Sequence, residues 1–255
     1  MMNYKFRLLP IAAMALLLLA GCDKKFSVPQ QTSAMGSTYM KVYVAATGIT
    51  RNYVFVNDRQ VSGALLASGG VFPLASASPG ILFQHNNLFS VQQNEIRPIA
   101  QRITIRDTTL TTLQPPTTLV TNLETLSNYT LFLTDSSLRP NIILVKDNIQ
   151  PVGDTTARIR FANLPFSPLA IPNMDIFSVR ANSNIFNNVP INTVTGFMAY
   201  ASARNDTLHV RAAGTTVNLA SINGIVATQK RYYTVVLRGS YRNPGSRVLA
   251  SFANY

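Results

Sequence analysis

Short runs of alternating apolar and polar residues fill the chain beyond about residue 36 and predict β-strands. The runs are rich in Val, Ile, Thr, Tyr and Phe, and they are separated by Gly, Pro, Asn and Asp, which favour turns. No segment after residue 22 sustains the i, i+3, i+4, i+7 apolar spacing of an amphipathic helix. The pattern therefore predicts an all-β protein.

The strand pattern occurs twice along the chain. "NYTLFLTDS" begins at Asn128 and "YYTVVLRGS" begins at Tyr232, and both place Tyr-Thr before three apolar residues. Upstream, "TYMKVYVAA" from Thr38 matches "TARIRFANL" from Thr156 in alternation and in position. A copy of roughly 100 residues with about seven short strands is typical of an immunoglobulin-like β-sandwich. The repeat therefore predicts two tandem immunoglobulin-like β-sandwich domains, residues 37–148 and 155–255.

The first 21 residues have the pattern of a signal peptide. Lys5 and Arg7 precede the uncharged apolar run 8–21, which is too short to cross a bilayer. The next residue, Cys22, is the single cysteine of the chain. Leu19-Ala20-Gly21-Cys22 resembles the bacterial lipobox, which implies that Cys22 is acylated and becomes the first residue of the mature protein. Residues 22–36 would then be a lipidated tether, and membrane lipid would be a partner, because two or more acyl chains anchor a protein stably.

Three stretches of the second copy resemble the DUF4397 family, a domain of unknown function. They cover residues 157–179, 191–214 and 231–240. Members usually read R-[VI]-R-[FV]-x-[HN] in the first strand and Y-Y-T-V-V in a later one. "RIRFAN" at 158–163 and "YYTVV" at 232–236 fill these elements. The family is common in anchored envelope proteins of Bacteroidota and has no assigned chemistry, so the resemblance implies a fold and a location and leaves the activity open.

The chain is basic, with 22 Lys and Arg against 10 Asp and Glu. Removal of residues 1–21 would take away two basic residues and no acids, leaving a net charge of +10. Such an excess favours anionic neighbours such as lipid head groups or acidic glycans. Nucleic acid is not a predicted partner, because aromatic residues do not interleave with basic clusters. The alternative is that an envelope protein simply tolerates a basic charge.

Arginines alternate with apolar residues in "RITIR" at 102–106, in "RIR" at 158–160 and beside His209. If these strands shared a sheet, their polar face would be rich in guanidinium groups that bind phosphate or carboxylate. This predicted anionic-ligand surface comprises Arg102, Arg106, Arg158, Arg160 and Arg211. The favoured alternative is a solvated outer face that prevents sheet edges from pairing with other chains.

Residues suited to catalysis are few. The two histidines, His85 and His209, have no second histidine or acid at metal-ligand spacing, so no metal or cofactor is predicted. Glu95 and Glu124 are the only glutamates, and no nucleophile motif is present. The sequence predicts a non-catalytic binding or scaffolding module for a glycan or an envelope protein. The alternatives are an accessory polysaccharide-binding subunit of a glycan-uptake system and, less favoured, a glycoside hydrolase.

Three Asp-Thr motifs resemble the O-glycosylation acceptor of exported Bacteroidota proteins, which would make Thr108, Thr155 and Thr207 the modified residues. A three-residue motif also arises easily by chance in a Thr-rich chain. The predicted location is the cell envelope, with the outer membrane as the favoured membrane. Lys24 and Lys25 beside the anchor favour the periplasmic side over surface display, which depends on acidic residues at this place in such proteins.

Overall fold

A computed structural model of the chain describes residues 38–73, 81–83, 100–124 and 126–254. The predicted signal peptide, Cys22, the tether, His85 and Glu95 lie outside these residues. Within them the chain is almost entirely β-strand and turn, and the one helical segment is a 3₁₀ turn at Pro244–Ser246. No helix in the described ranges is long and apolar enough to cross a membrane. The all-β prediction is confirmed.

Each half of the described chain contributes nine strands, two more than the repeat predicts. Several are only two or three residues long, which is too short for alternation to be recognised. The strands of the first half are β1 Thr38–Val44, β2 Asn52–Val56, β3 Arg59–Gln60, β4 Val71–Phe72, β5 Ile81–Phe83, β6 Gln101–Asp107, β7 Thr117–Thr121, β8 Asn128–Ser136 and β9 Arg139–Asp147. Those of the second half are β10 Ala157–Asn163, β11 Met174–Ser178, β12 Ser183–Val189, β13 Thr193–Val194, β14 Met198–Tyr200, β15 Asn205–Ala212, β16 Asn218–Val226, β17 Tyr232–Arg238 and β18 Val248–Ala253.

The two halves have the same topology, strand for strand. The inner sheet of the first half has the order β4-β1-β8-β9, with β5 also paired to β1, and its outer sheet has the order β3-β2-β6-β7. In the second half the inner sheet is β13-β10-β17-β18, with β14 paired to β10, and the outer sheet is β12-β11-β15-β16. In each inner sheet the first strand runs parallel to the eighth, and all other pairs are antiparallel.

The strand register shows which residues of the two halves are equivalent. Lys41 lies opposite Thr130 in the first half, and Arg160 lies opposite Thr234 in the second. Lys41 and Arg160 therefore occupy equivalent positions. The alignment predicted from the sequence, which matches Thr38 with Thr156, is wrong by one residue. A one-residue shift in such an alignment moves every side chain of a strand to the opposite face.

Three hydrophobic clusters separate four layers of sheet. One cluster lies between the inner and outer sheets of the first half, and a second occupies the same place in the second half. The third joins the two inner sheets to each other and contains Tyr43, Ala45, Phe132, Ala162, Leu164, Val236 and Phe252. The layers therefore stack as outer, inner, inner, outer, and residues Met35–Tyr255 form one compact unit.

Strand β8 shows why the inner sheets are buried on both sides. Its run Leu131-Phe132-Leu133 is completely buried. Leu131 and Leu133 point into the sandwich of the first half, whereas Phe132 points into the cluster shared with the second half. A fully buried Phe or Leu side chain contributes about 1.5–3 kcal/mol, so the shared cluster stabilises both halves together.

Candidate functional site

The five arginines of the predicted anionic-ligand surface do not lie together. Arg102 and Arg106 are on β6 in the first outer sheet, Arg158 and Arg160 are on β10 in the second inner sheet, and Arg211 is on β15 in the second outer sheet. The premise that their strands share one sheet is wrong, because β6, β10 and β15 belong to three different sheets.

Arg160 is not a surface residue, which corrects its assignment to a ligand surface. Its side chain is 1% exposed, and its Nη1 lies 2.6 Å from Oδ1 of Asp147, a carboxylate with no exposed side-chain area. The Nε and Nη2 groups donate to the hydroxyls of Thr234 and Thr130, each at 2.9 Å. As alternation predicts, the side chain of Arg160 points away from the core of its own sandwich. The other half of the chain covers that face of β10, so the arginine is buried.

Lys41, the equivalent of Arg160 in the first half, is buried in the same polar cluster. Its Nζ donates to the carbonyl of Ala253 at 2.8 Å. Burial lowers the pKa of Lys41, and the negative charge of Asp147 partly opposes that shift. Asn254 completes the cluster by donating to the hydroxyl of Thr130 at 3.1 Å. These groups hydrogen-bond to one another between the inner sheets, so we assign them to the packing of the two halves.

Two of the remaining arginines have acidic partners. Arg102 forms an ion pair with Asp58, and Arg158 lies 3.4 Å from a carboxylate oxygen of Asp154. Among the described residues, no carboxylate oxygen lies within 4.0 Å of the guanidinium of Arg106 or Arg211. Of the five candidates, only these two are therefore available for an acidic ligand.

Arg106 and Arg211 also share a distinctive environment. The guanidinium carbon of Arg106 lies 4.3 Å from the ring centre of Phe55, and that of Arg211 lies 3.9 Å from the ring centre of Phe177. Phe55 pairs with Thr104 between β2 and β6, and Phe177 pairs with His209 between β11 and β15. The two Phe residues are thus equivalent, and so are the two arginines. We call each such contact an Arg-over-Phe unit.

A hydrogen-bonded cross-strand pair stands beside each unit. In the first half the hydroxyls of Thr104 and Thr118 are 3.0 Å apart. In the second half, Nδ1 of His209 lies 2.6 Å from the hydroxyl of Ser221. Burial and the neighbouring Arg211 lower the pKa of His209, which favours the neutral imidazole. Each Arg-over-Phe unit therefore lies beside neutral hydrogen-bonding groups.

Neighbouring strands bring these groups together from distant parts of the chain. Residues 53 and 55 of β2, and residues 175 and 177 of β11, point away from the sandwich core because their neighbours at 54 and 176 fill it. The outward residues 104 and 106 of β6, and 209 and 211 of β15, alternate with core residues in the same way. Sequence reasoning identified both arginines, but it missed Phe55 and Phe177.

A cleft beside the link between the halves is a weaker candidate. It has a volume of about 450 Å³, and its lining includes Lys146, Asn148 and Gln150. The ammonium of Lys146 pairs with the carboxylate of Glu124, and the carboxylate of Asp147 is held by Arg160. The charged groups of the cleft are therefore already paired. Glu124, the only glutamate among the described residues, is thus held by Lys146. A hydrolase would need such a glutamate as an acid or base.

The three predicted O-glycosylation sites differ in accessibility. Thr108 and Thr155 are exposed, and each follows an aspartate whose carboxylate accepts the N–H of the second residue after it. Thr207 instead lies within β15 and is half-buried, with its carbonyl accepting the N–H of Val179. The described ranges contain no group of three or more His, Cys, Asp or Glu side chains that could hold a metal ion.

Comparison with protein-family models and with curated protein sequences gives no match. The resemblance to DUF4397, the acylation of Cys22 and the choice of partner therefore stay predictions, and the geometry of the outer faces is the basis for assigning a function.

Proposed function

We propose that this chain is a lipid-anchored, non-catalytic binding or scaffolding module of the cell envelope that contacts its partner through the outer faces of its two outer sheets. The observation that carries the proposal is the Arg-over-Phe unit, which occurs at equivalent positions on both faces. The positions around it differ between the halves: Tyr53 stands where the second half has Asp175. The unit is thus common to two faces that otherwise have different side chains.

The unit is suited to binding because it holds a charged group in one orientation before a ligand arrives. Contact with an aromatic ring restricts a guanidinium to few rotamers and leaves its N–H groups free to donate to a ligand. Fewer rotamers are then lost when a ligand binds, which favours affinity. Neutral donors and acceptors beside the unit supply further hydrogen bonds.

The proposed anchor is the acylated amino terminus at Cys22, at the outer membrane and with the protein facing the periplasm. A tether of residues 22–36 would reach up to about 50 Å when extended, which leaves both outer faces accessible above the bilayer. Mass spectrometry of the full chain from a membrane fraction should find acyl groups on Cys22. A Cys22→Ser variant should leave that fraction. An unmodified cysteine in the mature protein would contradict the anchor.

The binding role is tested with an unlipidated form spanning residues 35–255, which contains every described strand and all three hydrophobic clusters. On a panel of neutral and acidic glycans, this form should bind at least one class. The double variant Arg106→Gln/Arg211→Gln should lose that binding. Arg102→Gln is the matched control, since it removes the same charge from the first outer face at an arginine that is already paired with Asp58. Unchanged binding by the double variant would refute the assignment to the outer faces.

A further inference from the structure

The outer faces also indicate what the ligand is and how many ligands one protein holds. Resting on the proposed function, we infer that the two Arg-over-Phe units are separate sites for the carboxylate groups of an acidic polysaccharide. We further infer that one protein bridges two polysaccharide chains.

The free edges of the two guanidinium groups select an anionic group. The Nε of Arg211 donates to Oδ1 of Asn218 at 2.7 Å, which fixes the plane of the group and leaves the two terminal nitrogens for a ligand. Arg106 is held by Phe55 and has no carboxylate within 4.0 Å among the described residues. The N–H fork of an arginine matches a carboxylate, which it binds through two parallel hydrogen bonds. The net charge of the chain adds a general attraction for polyanions.

The groups beside the arginines favour a polysaccharide over a nucleic acid. Proteins that bind single-stranded nucleic acids stack the bases on open aromatic rings. Here Phe55 is only 7% exposed and Arg106 covers it, so the ring offers no such platform. The hydroxyls of Thr104 and Thr118 and the amide of Asn218 instead suit a ligand rich in hydroxyl groups. A uronic acid unit combines such hydroxyls with a carboxylate.

The layer order keeps the two sites apart. Packed sheets are about 10 Å apart, so the outermost of four layers are separated by about 30 Å and face in opposite directions. A single extended polymer lying along one face cannot reach the other without turning around the edge of the stack. Two chains, one on each face, are the simpler arrangement. The protein would then act as a cross-link.

The two sites should differ in strength. Asp175 lies opposite Arg211 in the register of β11 and β15, without forming an ion pair with it, and the residue opposite Arg106 is the uncharged Tyr53. The carboxylate of Asp175 accepts hydrogen bonds from the side chain of Asn184 and from the backbone N–H groups of Asn188 and Gly214. It is therefore fixed near the second site, where its negative charge opposes an anionic ligand. The Arg106 site should bind the same ligand more tightly.

The test measures the stoichiometry of binding with a short oligogalacturonate and cross-linking with polygalacturonate, using the unlipidated form of residues 35–255. At oligomer concentrations that just saturate the parent, isothermal titration should detect two bound oligomers per parent protein, one in Arg106→Gln or Arg211→Gln, and little binding to the double variant. Each substitution should weaken its own site about tenfold or more, the loss expected for hydrogen bonds to a charged group. Arg106→Lys keeps the charge but lacks the fork, so it should give an intermediate affinity.

Cross-linking is read from light scattering during addition of polygalacturonate. The parent protein should scatter strongly near equal numbers of protein sites and polymer sites, and both single variants should bind the polymer without this rise. The variants should keep the circular dichroism spectrum and melting temperature of the parent, because Arg106 and Arg211 lie outside the hydrophobic clusters.

Several results would overturn the inference. One bound oligomer per protein, or strong scattering by both single variants, would exclude bridging. An equal loss of affinity in Arg102→Gln would show that only the net charge matters. Competition by polyglutamate as strong as that by polygalacturonate would exclude recognition of the sugar, and stronger competition by polyphosphate would point to a phosphate ligand. Binding to neutral dextran that the double variant loses would leave the proposed function standing and refute only the acidic ligand.

Discussion

Substitution of Asp147 by asparagine should destabilise the whole protein, because this carboxylate is the only acidic side chain of the polar cluster between the inner sheets among the residues that the structure describes. It faces two buried cations. Nη1 of Arg160 lies 2.6 Å from Oδ1 of Asp147. Lys41 is 1% exposed, and the negative charge of Asp147 raises its pKa against the effect of burial. Asparagine has nearly the same shape and can still accept a hydrogen bond. The substitution therefore removes the charge and leaves the packing intact.

The expected cost follows from the burial of the pair. Removing one partner of a buried ion pair costs about 3–5 kcal/mol, because the other charge stays out of water without compensation. Domains of this kind are stable by about 5–15 kcal/mol, so Asp147→Asn should use up a large part of the total. Arg160→Met in the same background removes the guanidinium that Asp147 contacts. The double variant should therefore be more stable than the sum of the two single effects predicts.

The pH dependence of the variant adds an independent check. Burial already holds the pKa of Lys41 below its ordinary value, and loss of Asp147 removes the interaction that opposes this shift. A lysine whose folded pKa lies below its unfolded pKa binds fewer protons in the folded state. Stability then rises as pH increases through the folded and towards the unfolded pKa. The stability difference between Asp147→Asn and the parent should accordingly become smaller as pH is raised from 7 to about 10.

The assay is urea unfolding of residues 35–255, followed by circular dichroism at several pH values. The free energy of unfolding is compared among the parent, Asp147→Asn, Arg160→Met and the double variant. A loss below about 1 kcal/mol for Asp147→Asn, the range of exposed ion pairs, would contradict the burial of the cluster. Strictly additive single effects would show that Asp147 and Arg160 do not act as a pair.

Three further predictions follow from the same structure. Phe132→Ala removes a side chain from the cluster between the inner sheets, so it should cost about 3–5 kcal/mol and lower a single calorimetric transition shared by both halves; two separate transitions would contradict this. Burial raises the pKa of Asp206, but hydrogen bonds from Ser178, Tyr200 and two backbone N–H groups lower it more, so the net pKa is lowered. Its contribution to stability is present above pH 4 and is lost as pH falls further, and Asp206→Asn should show a shallower loss of stability below pH 4 than the parent. Gly239 has φ of +92° and an added Cβ would lie 1.8 Å from the carbonyl oxygen of Ser246, so Gly239→Ala should lower the melting temperature markedly. Gly153→Ala, where nothing lies within 4 Å, is the matched control.

The fold class was predictable because strands leave a period of two in the sequence. The repeated Tyr-Thr strands β8 and β17 do occupy equivalent places, with Thr130 and Thr234 at matching positions of the register. The same period misled the assignment of Arg160, since alternation says which residues share a face but not what covers that face. A signal for the buried face was nevertheless present. The runs "LFL" at 131–133 and "VVL" at 235–237 are continuously apolar, which is typical of strands covered on both sides.

The composition of the candidate site could not be read from the chain. Phe55 contacts Arg106 only because β2 and β6 pair in one particular register. The sequence of residues 57–100, which connects the two strands, does not predict that register. Whether an arginine is free or paired depends in the same way on distant residues. Arg102 has Asp58, in the turn between β2 and β3, as a partner. Arg106, four residues further along the same face of β6, has no carboxylate oxygen within 4.0 Å among the described residues.

The interface between the inner sheets explains why both outer faces are available on one chain. Equivalent positions in the two halves carry side chains of unequal size: Tyr43 is equivalent to Ala162, and Phe132 is equivalent to Val236. A half paired with a copy of itself would place large residues against large ones, or small against small, and both arrangements pack poorly.

The charges in this interface also favour the pairing of two different halves. Asp147 occupies the position of Asn254, so two second halves would bury two copies of Arg160 with no acid from this position to compensate them. Pairing of the two different halves within one chain is therefore favoured over pairing between equal halves of two chains. Because that pairing covers both inner sheets, the outer sheets necessarily face away from each other. The opposite orientation of the two Arg-over-Phe units is thus a consequence of the same residues that hold the halves together.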